Sequence, residues 1–147
     1  MSTSTAFGTQ LIGQTEKTLN AILTRQLTGT NLTEPQWVTL TLAVIGGGSF
    51  DRGELVTRVA GALKVSDAEA QARIAELAAA KLLDAPDEQG SPITVTDAGK
   101  DQHARIRGAV TEITGRLWGD LPAEDLATAG RVLAIVLERA NAELNRA

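Results

Sequence analysis

Apolar residues recur three or four positions apart along most of the chain, and glycine and proline divide that pattern into about six elements, most of them helical. The first predicted helix runs from about Thr5 to Thr28, with Phe7, Leu11, Leu19, Ile22, Leu23 and Leu27 on one face, and ends at Gly29. A second begins at Thr33, where Gln36 completes a capping box and Leu32 and Trp37 take the two places of a hydrophobic staple. It continues through Leu40, Leu42, Val44 and Ile45 as far as Gly46-Gly47-Gly48, whose backbone entropy opposes a helix. We read this triglycine as a flexible connector.

Asp51 and Glu54 repeat the capping spacing, with Phe50 and Leu55 as the staple, and open a short third helix carrying Leu55, Val56, Val59 and Leu63. Ser66 and Glu69 form the next box, and Ala70, Ile74 and Leu77 are the apolar stripe of a fourth helix. Two short helices around a tight turn predict a helix-turn-helix. Leu82, Leu83 and Ala85 then form a strand candidate, followed by the turn Pro86-Asp87-Glu88-Gln89-Gly90. Ile93 and Val95 alternate with Thr94 and Thr96 on the return strand, so this hairpin is expected to be a wing.

Thr96 can cap a fifth helix, on which Ile106, Val110, Ile113 and Leu117 share one face up to Gly119. Pro122 opens the last helix. From Leu126 to Leu144 it carries Val132, Leu133, Ile135, Val136 and Leu137, more apolar surface than one neighbour covers, and a second chain is expected to cover the rest.

Composition narrows the chemistry. With 147 residues, 43% hydrophobic and 22% charged, the chain suits one folded domain, or one subunit whose long helices a partner completes. It has no cysteine, which removes disulfides, thiolate metal sites and thiol nucleophiles, and its single histidine, His103, leaves the usual metal sets and triads without a second member. No apolar stretch approaches the ~18 residues of a membrane span, and the start Met-Ser-Thr-Ser-Thr lacks the basic region of a secretory signal, so the expected location is cytoplasmic, with no membrane partner. The 14 basic residues stand against 18 acidic ones, and this net charge of -4 gives no global support to nucleic-acid binding.

The order of elements, more than any one motif, resembles the MarR family of winged-helix transcriptional regulators. The matching stretches are Leu32-Thr33-Glu34-Pro35-Gln36-Trp37, Leu63-Lys64-Val65-Ser66, Leu77 to Leu83, and Val95-Thr96-Asp97-Ala98-Gly99. The resemblance implies a mainly α fold with a small β-hairpin wing. It implies one domain over 1–147, with dimerisation helices at about 5–28 and 100–145 and a winged helix-turn-helix lobe at about 33–98. It further implies a homodimer, most simply a repressor, that sets two lobes on successive major grooves of a pseudo-palindromic operator in double-stranded DNA. Many members release DNA when a small aromatic ligand enters a crevice beside the dimer helices. No cofactor and no catalysis are implied.

On this resemblance the DNA-facing residues are Ser66, Ala68, Gln71, Ala72 and Arg73 on the recognition helix, Lys64 and Arg58 on phosphates, and Gln89 and Ser91 in the wing. Thr15, Trp37, Thr41 and His103 are the ligand-side candidates. The sequence departs from the family where charge matters. Many relatives carry Asp-Arg-Arg in the wing, whereas Asp87-Glu88-Gln89-Gly90-Ser91 has no arginine to reach a phosphate or a narrow minor groove. Asp67 and Glu69 stand in the first turn of the recognition helix, and alanines fill much of the rest. From Asp51 through Val110 there are eight basic and ten acidic residues, a net -2. The alternative is therefore a MarR-like dimer with weak or lost DNA affinity, acting as a ligand-binding or protein-interaction module.

Plainer roles compete at several positions. Glu69 is better read as the capping partner of Ser66 than as a charge set against DNA. Trp37 and Trp118 offer indole faces to a ligand, but the staple position of Trp37 favours core packing. His103 suits a pH sensor or a partner for an acidic ligand, yet a lone histidine in the early turns of a helix is more often a surface residue. Gly46-Gly47-Gly48-Ser49 lacks the Gly-Lys-Ser/Thr of a phosphate loop. Glu124-Asp125 and Asp87-Glu88 are explained by a helix N-terminus and a turn before a cation or an acid-base pair need be invoked.

Overall fold

The structure is a computed structural model, and it describes residues 5–87 and 90–146. Among the described residues the order is α1 (Thr9–Leu27), α2 (Glu34–Ile45), β1 (Ser49–Phe50), α3 (Arg52–Leu63), α4 (Asp67–Ala79), β2 (Leu83–Asp84), β3 (Ile93–Val95), α5 (Asp97–Trp118) and α6 (Ala123–Leu144). The chain is mainly helical with a small antiparallel wing, as its patterning predicts.

The caps form where the sequence places them. Thr33 Oγ1 accepts the Gln36 N–H at 3.4 Å, and Gln36 Oε1 accepts the Thr33 N–H at 3.0 Å, which closes the reciprocal box. Asp51 Oδ2 caps Glu54 N–H at 3.3 Å and Ser66 Oγ caps Glu69 N–H at 3.1 Å. Thr96 caps Gly99 N–H at 3.0 Å. Its hydroxyl also lies 2.8 Å from the carbonyl of Lys81, two residues before the first wing strand. At the other end of the chain, α1 starts at Thr9 rather than near Thr5. Gly8 precedes it without a side-chain cap, and Phe7 stays 57% exposed, so no burial draws the earlier residues into the helix.

The sheet has the order β1-β3-β2, with Phe50 opposite Ile93 and Leu83 opposite Val95. The hairpin of β2 and β3 follows the predicted alternation, although its first strand is confined to Leu83–Asp84. Strand β1 was not foreseen, because two residues carry no period to read. It also changes the reading of the triglycine, which is a built turn rather than a loose connector. Gly46 and Gly48 N–H groups return to the Leu42 and Ala43 carbonyls at 3.0 Å each, Gly48 O accepts the Val95 N–H at 2.9 Å, and Gly47 and Gly48 hold φ values of 103° and 82° that favour glycine. A side chain at Gly46 would occupy the space of the Phe50 ring.

The chain divides into two compact units, Met1–Val110 and Thr111–Ala147. In the first, Leu40, Leu55, Val59, Ile74, Leu77 and Ile93 are buried, and they lock α2, α3, α4 and the sheet around one core. In the second, α6 has no buried residue.

Candidate nucleic-acid interface

The turn before α4 is made by Lys64 in the left-handed region, at φ 59°, with Val65 N–H returning to Ala60 O at 3.1 Å. Ser66 then starts α4, and burial of Ala70, Ile74 and Leu77 fixes which side of the helix faces the core. The opposite side is open. Ala68, Gln71, Ala75 and Ala79 are exposed and Ala72 is partly exposed, so the outward face is a stripe of methyl groups with one amide beside it. Asp67, Glu69 and Glu76 are exposed as well.

Of the residues expected to face DNA, Lys64, Ser66, Ala68, Gln71 and Ala72 gather on this turn and outward face, with the Ser66 oxygen engaged as a cap. Arg73 does not join them. It turns to the edge nearest α2, where Glu34, Pro35, Leu63, Val65, Glu69 and Arg73 line a shallow pocket of about 150 Å³. There Arg73 Nε lies 2.8 Å from Glu76 Oε1, and Nη2 lies 2.9 Å from Oε2. Gln36 Nε2 donates to the same Oε1 at 2.9 Å. These contacts hold the Glu76 carboxyl below the ordinary carboxylate range, the Gln36 hydrogen bond contributing most, while partial desolvation opposes it.

Arg58 is exposed on α3, its guanidinium 5.4 Å from the Phe50 ring centre. Ser91 is half-buried in the wing loop, and Gln89 lies outside the described residues. Sequence reasoning did not foresee the bond by which Arg52 Nη2 donates to the Pro86 carbonyl at 2.8 Å and ties the start of α3 to the base of the wing. Nor did it foresee that Glu76 pairs with Arg73 and accepts from Gln36. The i,i+3 spacing of Arg73 and Glu76 was a legible signal, but the link to Gln36 spans 40 residues and was not.

The ligand-side candidates separate. Trp37 on α2 and His103 on α5 stack, with ring centres 4.9 Å apart and planes 17° from parallel. Trp37 is core, as its staple position favours. His103 is not the surface residue its isolation suggested: only 6% is exposed, because a stacking partner 66 positions away covers it. Its Nε2 has no hydrogen-bond partner, and neither has the buried Oγ1 of Thr41, one turn beyond Trp37 on α2. Burial first, and the Arg107 charge second, push the His103 pKa below its usual value. Thr15 is exposed on α1 and its hydroxyl donates to the Leu11 carbonyl at 2.7 Å. Among the described residues no cluster of three His, Cys, Asp or Glu side chains could hold a metal, and no helix is long and apolar enough to cross a membrane.

A helix-turn-helix followed by an antiparallel wing, with long helices before and after, defines a winged-helix protein. More narrowly, this is the winged-helix fold of the MarR-family transcriptional regulators. CouR from Rhodococcus jostii RHA1, solved with p-coumaroyl-CoA, matches at a TM-score of 0.72 and 16% identity over 86% of this chain and 88% of its own. A MarR-family regulator from Rhodococcus sp. RHA1 matches at 0.70 and 16% identity, over 86% and 90%. The oxidised form of MarR from E. coli matches at 0.66 and 18% identity, over 91% and 96%. No family sequence profile matches the chain. No curated protein matches it either.

Proposed function

We propose that the chain is a homodimeric transcription regulator, most simply a repressor, that binds a pseudo-palindromic operator through α4 and the wing and is tuned by a small aromatic ligand. The observation that carries this reading is α4 itself. One side is locked into the core by Ala70, Ile74 and Leu77 while the other stands free beside a β-wing, the presentation a helix needs to enter a major groove. Lys64 and Arg58 are assigned to phosphates, and Gln71, with Ser66, Ala68 and Ala72 around it, to base edges.

The helices over about 5–28 and 100–145 are assigned to dimerisation and the lobe over about 33–98 to DNA. Val132, Leu133, Ile135, Val136 and Leu137, 37 to 60% exposed on α6, support a second copy of the chain as their cover. For the ligand, the stacked Trp37 and His103 with the unpartnered Thr41 hydroxyl offer aromatic faces and two unused polar atoms. The p-coumaroyl-CoA held by CouR supports a conjugated aromatic class. An electrophoretic shift with the DNA upstream of the coding region tests the reading. Binding at 50 mM salt that weakens steeply by 200 mM is expected, and no salt-sensitive shift with any neighbouring promoter overturns it.

A second reading, a winged-helix dimer with little DNA affinity that serves as a ligand-binding or protein-interaction module, is favoured by one observation. The outward face of α4 carries no free cation, and Glu69 and Glu76 are exposed beside it. Like charges along the groove-facing helix repel a phosphate backbone.

A further inference from the structure

We infer that Glu76 sets the DNA affinity of the recognition helix, by holding Arg73 in an ion pair that takes the place of a phosphate contact. The inference rests on the DNA-binding reading and adds a determinant to it.

Arg73 is the only cation within α4. Its Nη2 donates to Glu76 Oε2 at 2.9 Å, and its buried Nε lies 2.8 Å from Oε1 without the alignment of a hydrogen bond, so the guanidinium is held by one charge-assisted hydrogen bond within a close ion pair. The carboxylate is held from a second helix as well. Gln36 Nε2 donates to it at 2.9 Å, and Gln36 is aimed there by its other amide atom, which accepts from Thr33 N–H at 3.0 Å in the capping box of α2. Glu76 is therefore fixed from α2 and from α4, and Arg73 is drawn to the edge between them instead of to the outward face. The pair is not sealed: although Nε is buried, the Arg73 and Glu76 side chains are 30% and 41% exposed, so a competing oxyanion can reach the outer edge of the guanidinium. An exposed pair of this kind has little intrinsic stability, which lets a single substitution open it.

The test uses a fluorescein-labelled 30-base-pair duplex of mixed sequence, titrated with the full-length protein by anisotropy at several salt concentrations. Glu76→Gln keeps the amide contact available and removes the anionic partner. We expect it to bind about ten-fold more tightly than wild type at low salt, with a salt slope steeper by about one per protomer. The double variant Glu76→Gln/Arg73→Gln should lose that gain. Glu69→Gln removes an equal charge two helical turns earlier without opening the pair, and should gain only about two-fold.

If wild type binds and Glu76→Gln has the same affinity and slope, or if the double variant keeps the gain, the inference is overturned and the DNA-binding reading survives. If neither wild type nor Glu76→Gln shows salt-sensitive binding, both fall. Binding by Glu76→Gln alone sustains the inference and favours the second reading. A DNA-independent check is the Arg73 Nη resonances, whose exchange should be slower in wild type than in Glu76→Gln. Equal exchange in the two proteins removes the hold on Arg73 and the inference with it.

Discussion

The lobe around α4 and the helix α6 are built from the same kinds of residue at the same helical spacing, yet they reach opposite ends of burial. Leu40, Leu55, Val59, Ile74 and Leu77 have no exposed surface, whereas no residue of α6 is buried and Leu137 and Leu144 are 60% and 70% exposed. Apolar patterning therefore states that a face must be covered without stating by what. In the lobe, short helices and a three-stranded sheet provide the cover inside one unit. Along α6 the cover must be another surface, since fully burying a Val, Leu or Ile side chain is worth ~1.5–3 kcal/mol and several such side chains lie there in one run.

Four experiments sharpen or break this contrast. The largest effect is expected at α6. Leu133→Glu places a charge in the proposed dimer seam, and a buried unpaired charge costs about 3–5 kcal/mol. The dimer dissociation constant should then rise roughly 100- to 4,000-fold by sedimentation equilibrium. An unchanged mass distribution would show that α6 is not the seam.

In the lobe, Leu55→Ala leaves a cavity that no partner can fill and should cost about 2–5 kcal/mol in urea denaturation. The loss should be the same at every protein concentration, in contrast to any effect at α6. A smaller effect is expected at the start of α4, where Ser66→Ala removes the cap on Glu69 N–H and should cost about 1 kcal/mol in the same assay.

The smallest effect concerns His103. Its folded pKa is depressed, so between that value and the unfolded value near ~6.5 the unfolded chain binds more protons than the folded one. Stability should therefore be full above about pH 6.5 and decline as pH falls through that window. Melting temperatures at pH 7.5 and 5.5 should differ more for wild type than for His103→Phe, which keeps an aromatic ring against Trp37. An equal acid response in both proteins would remove the histidine from the account.

Much of this molecule was legible in advance because the signals are local. The caps at Thr33, Asp51, Ser66 and Thr96 bond to amides three residues on, and the alternation at Ile93 and Val95 lies within one strand, so helix starts and wing could be read from short windows. Less of the candidate interface was legible. The alanine stripe of α4 and the arginine-free wing are visible as sequence, but which way Arg73 turns depends on Gln36 in another helix. The pairing of β1 with β3, the Arg52 bond to Pro86 and the Trp37–His103 stack likewise join residues far apart in the chain.

The sequence by itself determined the capped helix starts, the helix-turn-helix and wing, the deficit of positive charge, and the presence of an apolar run on α6. Only the tertiary structure decided that His103 is buried, that the triglycine is a structural turn, and that the single cation of α4 is tied to Glu76. The division has a physical cause. Backbone propensities, caps and apolar periods are set by neighbours within a turn or two of chain, whereas the burial of an isolated polar side chain and the direction of a long cationic one depend on what distant segments bring beside them.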